Sequence, residues 1–163
     1  MGRSADYTRQ NCAIAATLDI VGEPWTLLII RDALRGVARF EQWQESLGMA
    51  RNVLSARLRH LVASGIFETQ LYCERPKRYE YHLSEKGLEL RPLILHMMEW
   101  GRRHVYAETA PSTTLIHSCG HVLKPVVHCA HCAAPMQRGD TTARLNPDAP
   151  TIGALQKALE KAG

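Results

Sequence analysis

No run of eighteen consecutive apolar residues occurs in this 163-residue sequence, so no segment is long enough to read as a transmembrane helix. The opening Met1-Gly2-Arg3-Ser4-Ala5-Asp6 lacks the basic-then-apolar order of a secretory signal. The expected compartment is therefore the cytoplasm, with no membrane partner. No internal repeat is present. Glutamate is missing between Glu108 and Glu160, a gap that holds three of the five cysteines. A zinc-dependent deaminase needs a His/Cys-x-Glu segment ahead of its C-x-x-C pair to move protons. Without that glutamate this enzyme class is excluded, and no catalytic residue is expected. The five cysteines are also not an even set. Three of them crowd into 119–132, and a reducing cytoplasm disfavours a disulfide framework, which leaves metal binding or thiol chemistry for the cluster.

What is present is a 45% hydrophobic content, enough for one ordinary domain with something small attached. The net charge of +4 is compatible with a polyanion partner without requiring one. Its distribution is more informative. Between Gly48 and Arg78 stand Arg51, Arg57, Arg59, Arg75, Lys77 and Arg78, opposed only by Glu68 and Glu74. The whole excess of the chain can be accounted for in that stretch.

Residues 12–21 read as a short helix ended by Gly22, and Pro24 opens a second helix through Leu34, apolar nearly all round and closed by Gly36. Phe40, Trp43 and Leu47 recur at helical spacing over 39–47, with Gly48 as the stop. A fourth helix runs to about Ser64 on an apolar stripe of Leu54, Leu58, Leu61 and Val62, and Gly65 ends it. Helix, glycine turn and helix form a helix-turn-helix outline. Residues 66–73 and 78–83 follow as a hairpin whose turn, Glu74-Arg-Pro-Lys77, carries a basic tip. Ser84 is placed to cap a long helix to about residue 106, with Pro92 marking a kink or restart. That helix carries an apolar stripe longer than a small domain can cover, which points to dimerisation. A linker at 109–114, a Cys/His cluster at 117–132 and a weak helix from about Ile152 to Lys161 complete the chain.

On the fourth helix, Asn52, Ser55 and Arg59 fall within roughly 60° of one another, opposite the leucine stripe. Arginine forks onto guanine, asparagine bonds adenine, serine is adaptable, and small Ala56 lets the helix approach. The N-terminal residues of such a helix reach base edges, which adds Arg51. A hairpin tip bearing Arg75, Lys77 and Arg78 suits the phosphate backbone. Duplex DNA is the expected partner. A winged helix serving as a protein–protein adaptor is the rival reading.

These stretches resemble the HxlR-type branch of the MarR-like winged-helix regulators. The matching residues are Cys12 through Gly22, Pro24 through Gly36, Arg39-Phe40, Asn52 through Leu61 with Gly65, the hairpin Arg75 through Gly87, and Glu99-Trp100-Gly101. The resemblance implies a mainly α fold with a small β-hairpin wing, in the α+β class. It also implies a homodimer held by its first and last long helices, with paired recognition helices in successive major grooves of a pseudo-palindromic operator. The expected domains are 1–108, for DNA binding and dimerisation, and a C-terminal tail at 109–163. Glu23 stands where the family usually has glycine, a departure expected to be harmless. Cys12 occupies a position where some members sense oxidants or electrophiles, so it is a candidate redox-sensing thiol responding to a small-molecule or oxidant effector. The alternative is a buried packing role at the dimer seam, and plain packing is the reading for Cys73.

In the tail, Cys129 and Cys132 form a C-x-x-C pair able to grip one tetrahedral zinc from a single turn. Cys119 supplies a third ligand and His117 or His121 a fourth, making structural Zn2+ the expected cofactor. Free or redox-active thiols are the alternative.

Overall fold

The computed structural model describes residues 5–162. The first four residues of the expected 1–108 domain and the last residue of the 109–163 tail lie outside the described residues. The chain divides into two compact units: one runs up to Glu89 and resumes from Asn146, and the other is Leu90–Leu145. The expected boundary at 108/109 therefore falls inside the second unit, and the C-terminal helix returns to the first.

In the first unit, α1 (Ala13–Val21), α2 (Thr26–Ala33), α3 (Phe40–Leu47) and α4 (Arg51–Ala63) precede the antiparallel strands β1 (Phe67–Glu74) and β2 (Lys77–Leu83) and the short α5 (Glu85–Leu88). This is the expected mainly α fold with a small β-hairpin. Its core gathers Ile29 and Ile30 of α2, Trp43 of α3, and Leu54, Leu58 and Leu61 of α4, with Ile66 and Phe67. Trp43 is fully buried, and its indole N–H donates to the Ile29 carbonyl at 3.1 Å, so the largest apolar side chain also satisfies its one polar atom. Its ring meets Phe67 and Tyr81 edge-on at 5.8 and 6.1 Å. Asp32, also buried, accepts from Ser46 Oγ at 2.8 Å, tying α2 to α3.

The glycine stops behave as the sequence requires. Gly48 and Gly65 take positive φ, +63° and +69°, where a side chain would be strained. The start of α2 differs from expectation. Trp25, with φ 74°, is its N-cap in the left-handed region, and Pro24 lies before the helix in the preceding turn. The hairpin also holds a third pairing: Arg39 bridges Glu80, and the Tyr81 N–H donates to the Ala38 carbonyl at 2.8 Å. The α2–α3 connection is thus pinned to β2.

The C-terminal α7 (Ile152–Ala162) joins this unit through the N-terminal arm. The Ile152 and Gly153 N–H groups donate to Gln10 and Thr8 carbonyls at 2.8 and 2.9 Å, Ile152 is buried, and Gln156 donates to Asp19 at 2.8 Å.

The expected long helix is interrupted before Pro92, where the chain passes from the first unit to the second. Ser84 caps α5 by accepting the Gly87 N–H at 3.1 Å, and a new helix, α6 (Arg91–His104), begins with Pro92 in its first turn, where the missing N–H has no intrahelical partner to lose. Glu99 of α6 pairs with Arg102 at 2.8 Å and Arg103 at 3.0 Å. No single helix among the described residues is long and apolar enough to cross a membrane.

Candidate nucleic-acid interface

The first turns of α4 and the hairpin face each other across a cleft of about 480 Å³, walled on its third side by α3. Five of the seven residues expected to meet DNA line it: Arg51, Asn52 and Ser55 from α4, Lys77 and Arg78 from β2. Helical spacing brings the first three to one face because Leu54, Leu58 and Leu61 turn the opposite face into the core. Arg75 is exposed at the hairpin tip, outside the cleft lining. Arg59 is exposed two turns along α4, near enough to Tyr81 for its charge to oppose the upward push that burial gives the Tyr81 phenol.

The cations are held by neighbours. Arg51 donates to Gln44 at 3.0 Å, and its guanidinium lies 5.1 Å from the Phe40 ring centre. Arg78 interacts with the Tyr72 hydroxyl. That contact, with the Glu41 carboxylate nearby, holds its guanidinium more firmly charged than usual. Tyr72 reaches the cleft because of a β-bulge: Leu71 pairs with Tyr79 and Cys73 with Arg78, which leaves Tyr72 as the extra residue. Arg39 lies 4.5 Å over the Tyr72 ring and pairs with Glu80 at 2.8 Å, drawing the Glu80 carboxyl below its ordinary range.

Tyr72, Glu41, Phe40, Tyr79 and Tyr81 also line the cleft, and sequence reasoning did not single them out as site residues. The bulge leaves no mark in a period-two pattern. Phe40 was legible only as a member of an apolar stripe. Two contacts brace α4 from behind: Arg57 pairs with Glu23 at 3.1 Å, and a ring nitrogen of His60 lies 3.0 Å from the Ile20 carbonyl. Glu23, where the family usually has glycine, is thus a partner of the helix that carries the cleft residues.

Cys12 is exposed at the N-cap of α1, and the Cys73 thiol lies 3.7 Å from the Arg75 carbonyl. The expected zinc ligands sit on two turns of the second unit. His117 and Cys119 belong to the first, where the Cys119 N–H donates to His117 Nδ1 at 3.2 Å. Cys129 and Cys132 belong to the other, where the Cys132 and His131 N–H groups, and then the Cys132 thiol, make the Cys129 thiol more acidic than usual. Among the described residues no three His, Cys, Asp or Glu side chains converge closely enough to hold an ion.

The HxlR-like helix-turn-helix family model matches residues 20–109. An HTH-type transcriptional regulator of Mycobacterium tuberculosis is 38% identical over 136 residues, spanning 83% of this chain and 86% of its own. Among solved structures, PA1607, a candidate transcription factor, aligns with a TM-score of 0.75 at 32% identity, covering 86% of this chain and 99% of its own. The redox regulator HypR in its reduced form aligns with a TM-score of 0.54 at 32% identity, over 58% of this chain and 96% of its own.

Proposed function

The chain belongs to the HxlR-like helix-turn-helix family of transcriptional regulators, and on that premise we propose that it binds duplex DNA sequence-specifically, as a homodimer on a pseudo-palindromic operator. The observation that carries the reading is the cleft, which gathers Arg51, Asn52 and Ser55 opposite Lys77 and Arg78. In this reading α4 enters the major groove, with Asn52 and Ser55 at base edges and Arg51, steadied by Gln44, reaching a guanine or a phosphate. Arg59 extends the contact along the groove, while Arg75, Lys77 and Arg78 lie on the flanking backbone and displace counterions. No step of this role is catalytic.

The homodimer is supported by apolar side chains left in solvent on helices of both units: Ile14 and Leu18 on α1, and Leu93, Met97 and Trp100 on α6. The last three recur at i, i+4 and i+7, a single stripe suited to a second copy. An oxidant or other small-molecule effector is the proposed signal. Cys12 is its candidate receiver, because the thiol is exposed and a structural relative is described as a redox regulator.

The test is a pair of variants assayed on selected duplex DNA. Asn52→Ala is expected to change which base is preferred at its position, at a cost of about 1–3 kcal/mol on the best site. Lys77→Ala is expected to weaken all sequences alike. An adaptor would show neither effect. Treating wild type and Cys12→Ala with a peroxide-class oxidant tests the receiver: only the wild type should change its DNA affinity.

A further inference from the structure

The hairpin is packed at its base and bare at its tip. At the base Phe67 is buried and Tyr81 half-buried, both edge-on to the Trp43 ring in the core. Toward the tip every residue from Glu74 to Tyr79 is exposed, so no apolar packing steadies the two short arms that carry Arg75, Lys77 and Arg78. A two-stranded ribbon without such packing is marginal in water. Its position matters for a grip on DNA, because phosphates stand at fixed distances from the groove. A tip ordered only on contact gives up affinity for that ordering.

Tyr72 supplies a hold just below the tip. The bulge between Leu71 and Cys73 adds this one residue to β1, and its side chain lines the cleft between α4 and the hairpin. The Arg39 guanidinium lies 4.5 Å from the centre of its ring. Arg39 is in turn fixed to the helices: it is the N-cap of α3, and its N–H donates to Gln42 at 2.9 Å. It is fixed to the sheet as well, since its backbone bridges Glu80 and its Nε donates to the Glu80 carboxylate at 2.8 Å. Cys73, the other half-buried residue of this stretch, turns its thiol toward Arg75 at 3.7 Å, a contact internal to the tip. The stack on Arg39 therefore ties the outer hairpin to the start of α3, the helix that precedes α4.

We propose that Tyr72, stacked on Arg39, is the positioning residue that holds the hairpin tip at a fixed distance from α4, so that Lys77 and Arg78 meet phosphates while Asn52 and Ser55 meet bases. This role rests on the DNA-binding reading above and adds a residue that touches no base. A tip held in place before contact is pre-organised, and its cations engage the backbone without first being ordered.

The test uses the full chain and the duplex that wild type enriches from a random library. Affinity is titrated across salt concentrations, and the melting midpoint of each variant is recorded beside it. Tyr72→Ala is expected to lose more than about tenfold in affinity, with a log–log salt slope shallower by about 3–4 as Lys77 and Arg78 of both copies leave the phosphates. The base preferred opposite Asn52 should not change. Tyr72→Phe, which keeps the ring over Arg39, should keep the wild-type slope. Arg39→Ala, at a half-exposed side chain, should reproduce the shallower slope, and Tyr72→Ala should cost nothing further in that background, because both remove one contact. An affinity loss that follows the melting midpoint with the salt slope kept, or losses that add in the double variant, would overturn the anchor and leave the DNA-binding reading standing. A wild type that enriches no duplex would overturn that reading and the anchor with it.

Discussion

Replacing Gly87 by alanine should unfold the first unit's hairpin joint, although alanine is the better helix former. Gly87 is buried in α5, and a Cβ there would press into the Ile66 carbonyl oxygen and approach Leu83 Cδ2 to 2.9 Å. The first neighbour is backbone and cannot rotate away. The same carbonyl accepts the Ser84 N–H at 3.0 Å and the Ser84 hydroxyl at 3.2 Å, and Ser84 in turn caps α5. Moving it therefore strains three linked contacts. Overpacking costs about 1–3 kcal/mol, and loss of the cap and one backbone hydrogen bond adds about 1 kcal/mol each. Gly-to-Ala propensity returns roughly 1 kcal/mol. The net loss is about 2–4 kcal/mol, which lowers the midpoint of a domain of about a hundred residues by roughly 10–20 °C. Circular dichroism melting reads this directly. A midpoint within a few degrees of wild type would refute the close approach at Ile66, and with it the geometry by which the hairpin returns to the helices.

Two further outcomes follow from named ion pairs. Glu23→Ala leaves Arg57 half-buried on α4 without its carboxylate. It should cost on the order of 1 kcal/mol, seen as a lower denaturant midpoint, and should weaken DNA binding by loosening α4, whereas an idle residue would change neither. Glu99 is held at about 2, below its ordinary 4.5, chiefly by the hydrogen bond from Arg102 and then by Arg103. The depressed value makes this a stabilising contribution that is complete above about pH 4.5 and lost as pH falls through 2. Wild type should exceed Glu99→Gln by about 1 kcal/mol at neutral pH, given the exposed arginines. That gap should close in acid, and a gap constant down to pH 2 would contradict the assignment.

Local punctuation carried much of the fold into the sequence. Gly48 and Gly65 stop α3 and α4 because only glycine takes their positive φ cheaply, Pro76 lies in the β1–β2 turn, and Ser84 caps where a hydroxyl can reach the next turn's N–H. Five cleft residues were legible because charge and helical spacing coincide on α4 and the hairpin. What escaped depends on partners distant in the chain or on a single inserted residue. Tyr72 enters the cleft through a bulge, Trp25 takes a left-handed backbone despite its side chain, and α7 returns to the N-terminal arm through backbone bonds to Thr8 and Gln10 that no side-chain pattern encodes. The break before Pro92 was half visible: the proline marked the place but not how many residues the interruption takes.

The most direct measurement is selection of duplexes from a random library by the whole chain, followed by titration of the enriched sequence across salt concentrations. A dimer placing Arg75, Lys77 and Arg78 of each copy on phosphates predicts two related half-sites and a log–log salt slope of about −5. Failure to enrich any sequence, with a slope near zero, would contradict the claim that this cleft reads DNA.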